Sequence, residues 1–237
     1  METHTMAAGQ GHPYFPQDAL IPGYAPNSTP LPVILGAFGG IIGAFVLSCV
    51  TLAKWYSPAL KRADQLTISW FALCGFLHLF FEGYFVLNHT TIPSSQSLFA
   101  QLWKEYALSD SRYLTSDPFM LCIETLTVLT WAPLSLLTAL LTARNRAHEQ
   151  GTRHLLQAIV CVGHLYGVAL YYGTCGFAEH MAGLSYSRPE ALYYWGYYVG
   201  MNAPWAVVPC LLLWRSAGAV RMAFGAVARG EEGKKGR

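Results

Sequence analysis

Apolar residues in this chain gather into five long runs, at 31–53, 66–87, 118–143, 155–178 and 191–214, separated by short polar connections. A bilayer crossing needs about 20 mostly apolar residues, and each run is of that order. None alternates with period two, as the strands of an outer-membrane barrel would. The pattern predicts an all-α integral membrane protein with five transmembrane helices. It divides the chain into a polar N-terminal segment (1–30), a membrane domain (31–214) and a basic tail (215–237). Between the second and third runs, Leu98, Phe99, Leu102, Trp103 and Tyr106 recur at helical spacing opposite Lys104 and Glu105, which predicts a short interfacial helix.

Composition agrees. Only 12% of the 237 residues are charged, against 53% hydrophobic and 14% aromatic. A soluble domain carries about twice that charged fraction, and mean hydropathy is +0.31. Disorder and coiled coils need more charge and fewer aromatics, and a net charge of +2 provides no basic face for nucleic acid. The N-terminus lacks the basic and apolar regions of a cleaved signal peptide, so the first run is expected to remain as a helix. Lys and Arg fall 3 to 12 across the two sides of the five spans. The positive-inside rule therefore predicts a lumenal N-terminus and a cytosolic C-terminus.

The ending Lys234-Lys235-Gly236-Arg237 resembles a dilysine retrieval signal of endoplasmic reticulum membrane proteins, and reads equally as an ordinary basic tail. Sequons at Asn27 and Asn88 would be lumenal and close to the membrane edge. The six cysteines all fall within spans, without CxxC spacing or a Cys/His zinc pattern, and read as packing residues. No phosphate-binding glycine loop or nucleophile elbow is present, so neither cofactor nor metal is expected. Gly36, Gly39, Gly40 and Gly43 form small-xxx-small pairs that suit a dimer face or an internal helix contact equally.

Ionisable side chains cost about 2.5–3.5 kcal/mol or more at the centre of a span, which makes those present informative. His78 and Glu82 lie four apart on the second span. Glu124 shares a stripe of the third with Thr127 and Trp131. Gln157 and His164 lie on the fourth, and Tyr194, Tyr198, Asn202 and Trp205 on the fifth. Four polar stripes are expected to converge on an intramembrane ligand cavity, with the first span outside them. A lone Asn, Gln or His is commonly interhelical glue, and Thr127 can satisfy itself on its own helix. Two mid-span glutamates, if only structural, would cost stability without evident gain. In an apolar pocket a carboxylic acid stays protonated and can deliver a proton, a His or second carboxylate can take one back, and aromatic faces tolerate a cation. That set suits proton-in, proton-out alkene isomerisation on a lipid-like substrate. It would also bind cationic amphiphilic amines.

At these residues the chain resembles the emopamil-binding protein family, the 3β-hydroxysteroid Δ8,Δ7-isomerases of sterol synthesis. The resemblance runs from His12 through the fifth span and is strongest in WFALCGFLHLFFEGYF (70–85), QLWKEYALSDSRY (101–113), ETLTVLTWAPL (124–134) and MNAPW (201–205). It implies a five-helix membrane bundle, a sterol substrate, and catalysis by His78, Glu82, Glu124, Asn202 and Trp205. Protonation at C9 and deprotonation at C7 would pass through a C8 cation. Thr127, Trp131, His164, Tyr194, Tyr198 and Arg112 are expected to bind substrate, with Arg112 and Asp110 pairing to lock a lid. The chain departs from the animal members at His164 (Gln there), Val168 (Asp there) and Pro204, which should disturb the fifth span beside Trp205. Those departures leave room for a related steroid or terpenoid substrate. A non-catalytic sterol or amine binder is the competing class. A transporter is disfavoured because the spans show no inverted repeat.

Overall fold

The computed structural model describes residues 11–235. Among these residues there is no strand, and five helices are long and apolar enough to cross a membrane. They are α1 (Leu31–Tyr56), α2 (Arg62–Asn88), α4 (Pro118–Arg144), α5 (Ala147–Ala182) and α6 (Leu192–Gly230), with the short α3 (Leu98–Tyr106) between α2 and α4. Each long helix extends beyond its apolar run because a helix continues through polar residues until a cap stops it. The α4 helix ends at Asn145 and α5 at Gly183, both left-handed (φ 47° and 64°), a conformation Asn and Gly adopt at low cost. Helical backbone leaves no unpaired groups facing lipid, which is why the spans are helical throughout.

Helix α2 packs along α4, α5 along α6, and α4 bridges the two pairs. Two glycines allow this closeness. A Cβ on Gly75 would collide with the Leu136 side chain, and one on Gly163 would lie 2.5 Å from the Trp131 ring. Gly163→Ala should therefore destabilise the bundle by about 1–3 kcal/mol through overpacking. Thermal unfolding in detergent unchanged from the parent would refute this contact.

One end of the bundle is closed by the N-terminal segment, α3 and the 107–117 loop. Tyr14 donates to the Lys104 carbonyl (3.0 Å), Lys104 Nζ donates to the Ala25 carbonyl (2.8 Å), and Asn27 Nδ2 donates to the Gln101 carbonyl (2.9 Å). Burial lowers the Lys104 pKa, and its ammonium is held by a carbonyl in place of a carboxylate. Asn88 Nδ2 likewise donates to the Tyr84 carbonyl, so both sequon amides are engaged. Inside the cap, Asp110 and Arg112 form a buried bidentate pair (2.6–3.1 Å). The opposite end is tied by Asp64, which accepts from Arg153 (2.7 Å) and Arg215 (2.8 Å). Of the ending Lys234-Lys235-Gly236-Arg237, the last two residues lie outside the described ones, as do residues 1–10.

Three of the helices contain π-helical stretches, at Leu77–Glu82 in α2, Thr127–Trp131 in α4 and Leu192–Gly200 in α6. The disturbance expected near Pro204 takes this form. Proline removes the amide that would reach the Gly200 carbonyl, and Gly200 is where α6 changes period.

Candidate functional site

A cavity of about 380 Å³ lies between the aromatic cap and the layer of Trp70 and Trp205. All five long helices line it. Phe38 and Ile42 come from α1, which corrects the expectation that the first span stands apart. The reason is packing: α1 lies against α2 and α3, and that placement brings two of its apolar side chains into the cavity wall. The rest of α1 is largely exposed, and the Gly36, Gly39, Gly40 and Gly43 stripe meets open space.

The π-helical turn of α2 places His78 and Glu82 together. His78 Nδ1 hydrogen-bonds both Glu82 carboxylate oxygens (2.8 and 2.9 Å), which fixes the ring and aims Nε2 across the bundle. There Nε2 meets Nε2 of His164 on α5 at 3.0 Å. Two nitrogens at that distance share one proton, because two lone pairs would repel. Glu82, His78 and His164 thus form a relay along which a proton can move. His164 Nδ1 is buried without a partner.

Glu124, 8% exposed, projects from α4 and accepts a hydrogen bond from Tyr113 Oη (2.8 Å). Burial holds the Tyr113 phenol well above its ordinary pKa, so it acts as a donor. Asn202 Nδ2 donates to Tyr106 Oη (2.9 Å) and to the Tyr198 carbonyl (2.8 Å). Trp205 lines the cavity with its ring 6.5 Å from that of His78, and its Nε1 has no partner. Thr127 donates to the Ile123 carbonyl (2.9 Å), as its helix position suggested.

The five residues expected to be catalytic, together with Thr127, Trp131 and His164, all line this one cavity. Three expected substrate residues do not. Arg112 gives its guanidinium to Asp110 and Thr174 under the rings of Tyr171 and Tyr186, so it locks the cap and touches no cavity space. Tyr194 and Tyr198 border a separate hollow between α5 and α6, because the π-helical stretch turns them that way. Sequence reasoning left Tyr113 and Tyr106 without a role. The signal available was a Tyr closing the Ser-Arg-Tyr turn, and only the fold brings it to Glu124. The fold also brings together a Cys/His group that no sequence spacing marks. Cys74, His78 and His164 bring their ligand atoms within 4.8 Å of one another, since a residue 86 positions away completes a local pair.

Residues 98–216 match the EXPERA (EXPanded EBP superfamily) family. A 3-beta-hydroxysteroid-Delta(8),Delta(7)-isomerase of Cavia porcellus is 35% identical over 224 residues, covering 94% of this chain and 93% of its own. A probable 3-beta-hydroxysteroid-Delta(8),Delta(7)-isomerase of Oryza sativa subsp. japonica is 30% identical, with 90% and 94% covered. An isomeliandiol synthase of Melia azedarach is 31% identical, with 73% and 81% covered. Identity at this level across nearly the whole length, together with the family match over 98–216, makes this membrane protein a member of the EBP family.

Proposed function

We propose that this chain is a sterol Δ8–Δ7 isomerase that transposes a ring double bond by protonation at C9 and deprotonation at C7. The observation that carries the reading is the pairing, in one apolar cavity, of a relay (Glu82, His78, His164) with a second acid (Glu124 under Tyr113). The reaction conserves protons: one is added at C9 and one leaves C7, so the site needs one group charged with a proton and one free to accept. His78 and Glu124 fill those positions. Glu82 orients His78 and offsets its charge, Asn202 fixes the Tyr106 hydroxyl, and the Trp205 face supports the C8 cation. About 380 Å³ of mostly apolar space falls in the range of small-molecule sites.

The same cation-tolerant wall supports binding of cationic amphiphilic amines as inhibitors. The Lys and Arg distribution favours a lumenal N-terminus and a cytosolic C-terminus, and an endoplasmic reticulum membrane goes with the sterol isomerase reading. The outward glycine stripe of α1 suits a second copy of the chain. A second reading, the same chemistry on another terpenoid, is favoured by His164 and Val168 in the cavity wall and by the relative named for isomeliandiol synthesis.

Expression in yeast lacking its own Δ8-sterol isomerase, followed by gas chromatography–mass spectrometry, tests the proposal. Accumulated Δ8-sterols should convert to Δ7 products. An unchanged profile from folded, membrane-inserted protein would eliminate the sterol reading.

A further inference from the structure

The cluster of Cys74, His78 and His164 has a chemistry that alkene isomerisation does not use. Cys74 Sγ lies one helical turn before His78 on α2 and is fully buried in the Trp70–Trp205 layer. His78 and His164 turn their Nε2 atoms toward each other at 3.0 Å, and all three ligand atoms lie within 4.8 Å. A tetrahedral Zn2+ with Zn–N of about 2.0–2.1 Å and Zn–S of about 2.3 Å separates its ligands by roughly 3.3–3.6 Å. The observed 3.0 Å between the two Nε2 atoms and the 4.8 Å limit on all three pairs bracket that spacing.

We propose that these three residues form a binding site for a borderline-soft divalent cation such as Zn2+, with the fourth position open to the cavity, and that occupancy inhibits turnover. Three features support it. Glu82 holds the far nitrogen of His78, the carboxylate–histidine–metal arrangement that orients a ligand and raises its basicity. His164 is 5% exposed, and its Nδ1 has no partner, leaving that nitrogen free to take the proton displaced from Nε2. Charge also balances: the divalent ion, one thiolate and the Glu82 carboxylate sum to zero, which a low-dielectric interior favours. On binding, the Cys74 thiol proton is released to bulk solvent as the metal–thiolate bond forms, and the metal replaces the proton shared by the two Nε2 atoms, which moves to His164 Nδ1. His78 is then no longer available to the substrate.

The inference rests on the residues and not on the isomerase reading, so its test reads the metal directly. Co2+ titrated into the full chain in detergent or nanodiscs should give visible bands of a tetrahedral site and a thiolate charge-transfer band, saturating at one equivalent. Cys74→Ala and the size-matched Cys74→Ser should lose the charge-transfer band, whereas Cys161→Ala, altering a neighbouring buried cysteine, should keep it. If the yeast assay shows turnover, Zn2+ should inhibit it, and Cys74→Ala should retain turnover while losing at least about tenfold in Zn2+ sensitivity. Absence of bands in the parent protein, or bands unchanged by both Cys74 variants, would overturn the site whatever the outcome for sterols. Bands without sterol turnover would support the metal site and refute only the isomerase reading.

Discussion

Glu124→Gln is expected to reduce isomerisation by about 10²- to 10⁴-fold, the range contributed by a positioned acid–base group. Glutamine keeps the carbonyl that accepts from Tyr113 Oη, so the cavity and the cap should survive and ligand binding should persist. The replacement removes only the ability to give or take a proton at that position. Sterol conversion in membranes, paired with binding of a tritiated amphiphilic amine, separates the two effects. Loss of binding along with turnover would assign Glu124 a structural role. Turnover within threefold of the parent would remove it from the proton path and leave the Glu82–His78–His164 relay to do both transfers. Removing a second member of that path from Glu124→Gln should cost little more, because groups that act as one unit are strongly non-additive.

The second large effect is on stability. Arg112→Ala should destabilise the protein by about 3–5 kcal/mol, because it strands the Asp110 carboxylate in the cap. Asp110 and Arg112 side chains are 0% and 4% exposed, and the pair is bidentate. Burial alone would lower the Arg112 pKa. The Asp110 carboxylate outweighs this and holds it raised, so the guanidinium is charged at every working pH. The check is a pair of single variants and a double one, followed by thermal unfolding in detergent. Asp110→Asn with Arg112→Gln should recover part of what either single change loses, because no lone charge remains buried. A double variant as unstable as the sum of the singles would show that the pair is not the unit of stability. Turnover per folded molecule should change far less than that of Glu124→Gln, since Arg112 does not reach the cavity.

Much of this architecture was legible in the amino-acid order. Five apolar runs gave five helices because backbone in lipid has no other way to satisfy itself. His78, Glu82, Glu124 and Asn202 were conspicuous because polar groups are costly at that depth, and the fold gathers all four. What could not be read is what depends on helix phase and on distant partners. The α1 contribution of Phe38 and Ile42 was hidden because apolar residues facing a cavity look the same as those facing lipid. Tyr194 and Tyr198 were misplaced because their stripe was drawn with α-helical spacing through a π-helical stretch. Tyr113 reaches Glu124, and His164 reaches His78, across 11 and 86 residues, and no local pattern encodes either meeting.

The π-helical stretches carry a consequence for how such a site tolerates change. Each holds one more residue in its turn than an α-helix would, so the segments on either side are phased independently. In α2 the part before Leu77 is committed to α4 through Gly75 and Leu136, while the part beyond Glu82 packs into the aromatic cap. Removing one residue between them would restore a regular helix and swing one segment about 100° relative to the other. Insertions and deletions are usually expected in loops. Here the length of a single membrane helix is itself a coded quantity, fixed to the residue.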